Sequence, residues 1–160
     1  MKQFTKTPQN ERLIGNKIVH IFTGDDENID NDTVRSFGDE WLAYNNFSDE
    51  DILVAGNEYF DIVPENIYTG KYVLDVGCGT GRWSKYLSKK ASEIEAIDPS
   101  EAVLSAAALL QDDDHVRISQ ASAGDIPFSD NTFDLVISLG VLHHIPDTQA
   151  AMQNCIDKLK

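Results

Sequence analysis

The amino-acid sequence predicts an α/β fold in which a helical N-terminal cap precedes a doubly wound parallel sheet. From Tyr72 onward, short apolar runs alternate with helical patterns, and a glycine-rich turn joins the first run to its helix. We therefore divide the chain into an acidic, largely helical extension at residues 1–66 and a core domain at residues 67–160. In such a sheet, a ligand is expected outside the carboxyl ends of the first two strands.

Three segments precede the helices of the extension. Residues Met1–Gly15 are polar and are expected to be frayed. The apolar residues of Lys17–Phe22 suffice for a short strand or a packed extended segment. The run of Asp, Glu and Asn residues at Gly24–Asp32 predicts a mobile loop.

Two helices then form the predicted cap over the mouth of the site. The first begins near Thr33 with Asp32 as its cap, and the second begins after Ser48, with Asp51 completing a capping box. Apolar residues recur along one face of the first helix: Val34, Phe37, Trp41 and Tyr44. The two larger ones, Trp41 and Tyr44, either line a pocket or, as such stripes more often do, belong to the core.

The net charge of −14 is concentrated in the extension, where 13 acidic residues and one basic residue, Arg35, lie between Asp25 and Glu65. Such a surface serves solubility or attracts a basic substrate, and it repels nucleic acid, which leaves a small molecule as the expected partner. No apolar run approaches the ~20 residues that span a membrane, so we expect a cytoplasmic protein with no membrane partner. Cys78 and Cys155 are expected to be buried and unpaired.

The core opens with an apolar strand at Tyr72–Val76, three glycines at alternate positions (Gly77, Gly79 and Gly81), and a helix. The glycines allow a sharp turn and a close approach of the backbone to a ligand. A dinucleotide loop has its third glycine one residue later and binds a pyrophosphate. Here Asp75 precedes the glycines, and its charge favours a ligand with a positively charged amino group beside an adenosine.

The segment Leu74–Gly81, Leu-Asp-Val-Gly-Cys-Gly-Thr-Gly, resembles the first motif of the class I S-adenosylmethionine-dependent methyltransferases, which have a Rossmann-like fold. Three later segments continue the resemblance in the same order. Glu93–Asp98 is similar to the second strand with its terminal acid, and Ala121–Phe128 is similar to the adenine loop. Asn131–Asp147 is similar to the fourth strand and the segment that follows it.

The resemblance implies S-adenosylmethionine as the cofactor, no metal, and nine cofactor-binding residues: Asp75, Gly77, Cys78, Gly79, Asp98, Pro99, Ser122, Ala123 and Leu139. Asp75 and the carbonyl of Leu139 would hold the methionine end, and Asp98 would bind the ribose. Alternatives are a loop cap for Asp75 and a helix N-terminal acid for Asp98. The resemblance implies no specific catalytic residue.

At the adenine end, Pro99 would pack near the base and the N–H of Ala123 would meet the ring. The family often has an acid where Ser122 stands, and a serine accepts a hydrogen bond more weakly than a carboxylate does. His143 and His144 would stand at the opening for the substrate, either as packing residues, which we favour, or as a proton acceptor.

Family members continue beyond the point that corresponds to Lys160, so the resemblance implies a sheet that is incomplete at its C-terminal half. The fourth strand, Phe133–Ser138, would then be an exposed apolar edge. A fragment of a longer protein, an early-terminated gene product, and a homo-oligomer that covers the edge are all consistent with this expectation.

The function that the resemblance implies is methyl transfer from S-adenosylmethionine to a small-molecule acceptor, by this chain or by a protein of which it is the N-terminal portion. One alternative is a non-catalytic module that binds S-adenosylmethionine or S-adenosylhomocysteine. A nicotinamide-dependent oxidoreductase is disfavoured by the glycine spacing and by Asp75.

Overall fold

The structure is a computed structural model that describes residues 1–22, 24, 26, 28–43 and 47–160. Within these ranges, one mixed sheet contains six strands: β1 (Asn10–Ile14), β2 (Lys17–Ile21), β3 (Tyr72–Val76), β4 (Glu93–Asp98), β5 (Val116–Gln120) and β6 (Leu135–Ile137). The helices are α1 (Asn31–Ala43), α2 (Asp49–Tyr59), α3 (Arg82–Ser88), α4 (Ala102–Leu109) and α5 (Thr148–Asp157). Short 3-10 turns occupy Glu65–Ile67 and Leu142–His144.

The strand order is β1-β2-β5-β4-β3-β6, and every neighbouring pair is parallel except β1 and β2. This order confirms the predicted α/β fold with its parallel sheet. Four strands, β5, β4, β3 and β6, bring their carboxyl ends to the same edge in that sequence. The turns that follow these strands therefore lie side by side.

The sheet is covered on both faces, because successive side chains of a strand point in opposite directions. Val73 of β3 belongs to an apolar cluster with Leu87 of α3, Val103 of α4 and Leu110, which directly follows α4. Its neighbour Leu74 belongs to a second apolar cluster on the other face, which includes Phe128, Phe133 and two residues of α5, Ala151 and Cys155. This arrangement is the doubly wound packing that the sequence predicts. Cys78 and Cys155 are buried and unpaired, as expected.

The expectation of a frayed N-terminus at Met1–Gly15 is wrong. Residues 10–14 form β1, which pairs with β2, and β2 continues the parallel sheet beside β5. Phe4 packs against Phe22 with ring centroids 4.8 Å apart. The side chains of β1 are mostly exposed, so its pairing depends on backbone hydrogen bonds that leave no apolar pattern in the sequence. The domain boundary near residue 66 stays a prediction, although the first 22 residues extend the sheet of the core.

The two predicted helices of the extension are present, with one cap assigned differently. Asp30, rather than Asp32, accepts hydrogen bonds from the backbone N–H groups of Asp32 (3.1 Å) and Thr33 (3.3 Å). Helix α2 has the predicted capping box between Ser48 and Asp51. Tyr44 lies outside the described residues. None of the helices in the described part of the chain has the length and apolar character needed to cross a bilayer.

Strand β6 forms one edge of the sheet, as the resemblance implied for the fourth strand. Next to it, Phe133 makes an isolated parallel bridge with Leu159. The N–H of Phe133 donates to the carbonyl of Lys158 (2.9 Å), and the N–H of Lys160 donates to the carbonyl of Phe133 (3.0 Å). What covers the remainder of this edge stays a prediction.

A buried ion pair links the two strands beside the centre of the sheet. Glu95 of β4 lies opposite Arg117 of β5 and accepts two hydrogen bonds from its guanidinium group (2.8 and 2.7 Å). The hydroxyl of Tyr72 donates to the same carboxylate (2.5 Å). Burial raises the pKa of Glu95, and its bonds to Arg117 oppose that rise.

We predict that Arg117→Met lowers the free energy of unfolding by about 3–5 kcal/mol, because it leaves the Glu95 carboxylate buried without its cation. The matched control is Arg12→Met, since the ion pair of Arg12 with Glu101 is exposed. This control should change stability by about 1 kcal/mol or less. Urea unfolding measures both variants, and equal losses would contradict the role of the buried pair.

Candidate active site

A cleft lies at the carboxyl edge of the sheet, between the turns after β3, β4, β5 and β6 and the face of α1. Eight of the nine residues predicted to bind the cofactor line it: Gly77, Cys78, Gly79, Asp98, Pro99, Ser122, Ala123 and Leu139. The ninth, Asp75, lies behind the glycine loop. The structure therefore brings together residues that are up to 62 positions apart in the chain.

The three glycines of the loop have different roles. All three have positive φ angles, of 78° at Gly77, 52° at Gly79 and 82° at Gly81. A Cβ atom at Gly77 would lie 2.3 Å from the side chain of Val141, and one at Gly81 would lie 2.9 Å from Leu110. At Gly79 the nearest neighbour would be Trp41, at 3.9 Å across the cleft. Two glycines thus permit close packing, and Gly79 leaves space for a ligand.

The end of β4 holds the loop in place. The carbonyl of Ile97 accepts hydrogen bonds from the N–H groups of Gly77 (2.7 Å) and Cys78 (2.9 Å). The Oδ2 atom of Asp98 accepts a third, from the N–H of Gly79 (2.9 Å). The Cys78 side chain points into the core, and burial raises the pKa of its thiol well above the ordinary value. Cys78 therefore offers the cleft its backbone and not a nucleophile.

Asp98 connects the loop to the turn before α4. Its Oδ1 atom accepts hydrogen bonds from the N–H (2.9 Å) and the hydroxyl (2.6 Å) of Ser100. Burial raises the pKa of Asp98, and the bonds from Ser100 and Gly79 oppose that rise. A carboxylate has about four lone-pair sites. One site stays available for a hydroxyl donor in the cleft, such as a ribose hydroxyl.

Asp75 is buried at the end of β3, and its Oδ2 atom accepts a hydrogen bond from the Ser84 hydroxyl (2.7 Å). Its Oδ1 atom has no partner among the described residues. Burial and, to a smaller extent, the nearby charge of Asp98 raise the pKa of Asp75 to about 7, against the opposing effect of Ser84. Asp75 does not cap the loop, because Ile97 accepts the bonds from Gly77 and Cys78. An unpartnered, buried carboxylate oxygen fits a ligand ammonium group.

The turn after β5 adds an acid that the sequence analysis missed. The Ser122 hydroxyl donates a hydrogen bond to Oδ2 of Asp26 (2.5 Å), and Asp26 lines the cleft. The N–H of Ala121 donates to the carbonyl of Asp98 (3.1 Å), which ties this turn to the ribose position. Ser122 is therefore a donor here, whereas the resemblance implied an acceptor. Asp26 belongs to the predicted mobile loop at Gly24–Asp32, and no sequence pattern around it indicates a place in the cleft.

Helix α1 forms the opposite wall through Phe37 and Trp41, so the pocket interpretation of Trp41 is the one that fits the structure. The guanidinium carbon of Arg82 lies 5.1 Å from the centroid of the Trp41 ring. The ring of Phe37 lies 4.7 Å from that of His144, which lines the cleft, whereas His143 lies outside the lining. Arg82 was not predicted to line the cleft, although its position directly after the glycine loop indicates that it lies there.

The described ranges contain no group of three His, Cys, Asp or Glu side chains placed to hold a metal ion. The site thus consists of a glycine loop, two buried carboxylates at the ends of adjacent parallel strands, and an aromatic wall. Together with the strand order, these features define the fold of a class I S-adenosylmethionine-dependent methyltransferase.

Comparison with known proteins agrees with this class. The family described as "Methyltransferase domain" matches residues 74–160, and the chain belongs to that family. The cofactor of this class is S-adenosylmethionine, and the orphaned Asp75 oxygen and the open side of Gly79 fit it.

Three similar proteins illustrate the relationship. The ubiquinone biosynthesis O-methyltransferase of Pseudomonas fluorescens is 34% identical over 97 residues. The alignment covers 57% of this chain and 40% of the relative. A SAM-dependent methyltransferase from Aquifex aeolicus superposes with a TM-score of 0.64 at 22% identity, covering 77% of this chain and 67% of that one. The (4+2)-cyclase SpnF superposes with a TM-score of 0.59 at 28% identity, covering 65% and 41%. The chain spans about 40% of the length of the curated relatives that it matches.

The raised pKa of Asp75 predicts how stability depends on pH. In the unfolded chain an aspartate has a pKa of about 3.9. Between that pH and about 7 the folded protein binds more protons at this site, so the free energy of unfolding falls as the pH rises through this window. Asp75→Asn should remove the Asp75 part of this dependence and raise stability at pH 8 by up to about 4 kcal/mol, whereas the raised pKa values of Glu95 and Asp98 leave a smaller dependence of the same sign.

Urea unfolding at several pH values between 4 and 8 measures this effect. The control is Asp112→Asn, which neutralises an exposed acid that does not line the cleft. This variant should leave the pH dependence unchanged. A pH dependence that is as steep in Asp75→Asn as in the unmodified chain would show that Asp75 is ionised throughout the window.

Proposed function

We propose that the cleft binds S-adenosylmethionine and that the protein transfers the methyl group to a small-molecule acceptor. The observation that carries the proposal is the pair of carboxylates at the ends of β3 and β4. Asp98 is bonded to the glycine loop with one lone-pair site toward the cleft, and Asp75 has an unpartnered oxygen behind the loop. Asp98 suits a ribose hydroxyl, and Asp75 suits an ammonium group.

The proposed contacts follow the order of the strands. The methionine end lies near β3 and β6, where Asp75 attracts the ammonium group and the carbonyl of Leu139 accepts a further bond. The ribose lies at Asp98, with the backbone of Gly79 beside it. Pro99 packs near the base.

The bound cofactor supplies a methyl group that is already activated by the sulfonium charge. The protein therefore contributes orientation and the exclusion of water. Phe37, Trp41 and Val141 provide an apolar wall for this purpose. His144 is a titratable side chain in the cleft lining, and its contact with Phe37 supports the packing role that we favour for it.

A small-molecule acceptor is favoured by two observations. The matched relatives include an O-methyltransferase of ubiquinone biosynthesis. In addition, α1, which lines the cleft, carries the acidic residues Asp32, Asp39 and Glu40, and their charge would repel the phosphates of a nucleic acid. The absence of a nucleic-acid partner, a cytoplasmic location and a homo-oligomer that covers the β6 edge remain predictions.

A second candidate is a protein that binds the cofactor without methyl transfer. The similarity to the (4+2)-cyclase SpnF favours this candidate, because that protein is named for a different reaction. Cofactor binding is common to both candidates, and turnover separates them. The nicotinamide alternative lacks support from the family match.

The first test is a titration with S-adenosylhomocysteine, followed by calorimetry and thermal melting. Ligand at 100 times its dissociation constant should raise the melting temperature by about 5–11 °C. Asp98→Asn should weaken binding about tenfold or more, because it removes a charged acceptor. Asp61→Asn, an exposed acid outside the cleft, is the control and should bind as the unmodified chain does.

Turnover is measured with radiolabelled S-adenosylmethionine and a panel of phenols, amines and carboxylic acids. Label in any acceptor that depends on Asp98 supports methyl transfer. Binding without label in any of them favours the second candidate, and a folded chain with no binding contradicts both.

A further inference from the structure

The orientation of the cofactor follows from the order of the turns along the sheet edge. That order is β5, β4, β3 and β6, so the turns carry in sequence Ser122, Asp98, the glycine loop and Leu139. If the ribose lies at Asp98, one end of the cofactor points toward β6 and the other toward Ser122. Asp75 lies on β3, which is between β4 and β6 in the sheet, and its unpartnered oxygen suits the ammonium group. The uncharged base is left for the Ser122 side.

A carboxylate from outside the core lies at the Ser122 side. The hydroxyl of Ser122 donates to Oδ2 of Asp26 (2.5 Å), and the N–H of Asn28 donates to Oδ1 (2.9 Å). A Cβ atom on Gly124 would lie 2.2 Å from Oδ1, so the carboxylate packs directly against the backbone of this turn. Asp26 is therefore held by contacts with the core and is not a freely solvated charge.

A second contact with the core lies two residues after Asp26. Asn28 makes two hydrogen bonds with the backbone of Asp147 at the start of α5. Its Nδ2 group donates to the carbonyl (2.9 Å), and its Oδ1 atom accepts from the N–H (2.7 Å). Asp26 and Ile29, which precede and follow Asn28 in the sequence, line the cleft.

We propose that Asp26 recognises the exocyclic amino group of the adenine base and that Ser122 positions its carboxylate. The inference rests on the proposed function, since it requires the cofactor in this cleft. A carboxylate only accepts hydrogen bonds, and each Asp26 oxygen has a lone pair beyond the one that the described residues use. The exocyclic amino group is the strongest donor on adenine. The acid that the family often has at the position of Ser122 is thus supplied by residue 26.

The test compares two ligands that differ at this edge of the base, where S-inosylhomocysteine also carries a hydrogen on N1. S-Adenosylhomocysteine carries an amino group on the base, and S-inosylhomocysteine carries a carbonyl oxygen there. The unmodified chain should prefer the first ligand by about tenfold or more, because the carboxylate would face a second acceptor in the inosine compound. In Asp26→Asn the amide can donate to that oxygen, and the preference should fall by about tenfold.

Controls separate recognition from folding. Asp125→Asn makes the same change in an acid that pairs with Lys6 outside the cleft lining, and it should keep the preference of the unmodified chain. Ser122→Ala should lose part of the preference, and Ser122→Thr should restore it. Equal weakening of both ligands by Asp26→Asn would assign Asp26 a structural role and overturn the inference. Failure of the unmodified chain to bind either ligand would overturn the proposed function as well.

Discussion

The glycine loop keeps its shape because the end of β4 accepts three of its backbone N–H groups, two at the carbonyl of Ile97 and one at the carboxylate of Asp98. Because the loop has three positive φ angles, its backbone N–H groups do not form the regular hydrogen bonds of a strand or a helix. The bonds to Ile97 and Asp98 take the place of those regular hydrogen bonds, and they hold Asp98 directly beside the loop. Asp98 and the loop are consequently one structural unit, which extends through Ala121 to the turn after β5.

Burial of charge is the second constraint on the site. Asp75 and Asp98 are both buried, and burial raises the pKa of both carboxyl groups. In the absence of a ligand, this costs stability, most clearly at Asp75 with its unpartnered oxygen. A cationic ligand would lower the cost of burying this carboxylate. The relief of that cost would then contribute to the free energy of binding. Such destabilised groups are typical of functional sites.

The core of the fold could be predicted because its signals are local. The apolar run of β3 with Asp75, the glycine spacing, and the strand that ends at Asp98 each span only a few residues. The capping box of α2 in the extension is local for the same reason. Strand β1 was missed because backbone pairing with β2 holds it and its side chains are mostly exposed. Asp26 was missed because its partner, Ser122, is 96 positions away.

The most direct test of this account is a crystal structure of the chain with S-adenosylhomocysteine. The account predicts the ligand in the cleft between Gly79 and Trp41, with its ribose hydroxyls within hydrogen-bond distance of the Asp98 carboxylate and its ammonium group toward Asp75. A ligand bound elsewhere, or one in the cleft with its ribose away from Asp98, would contradict the account.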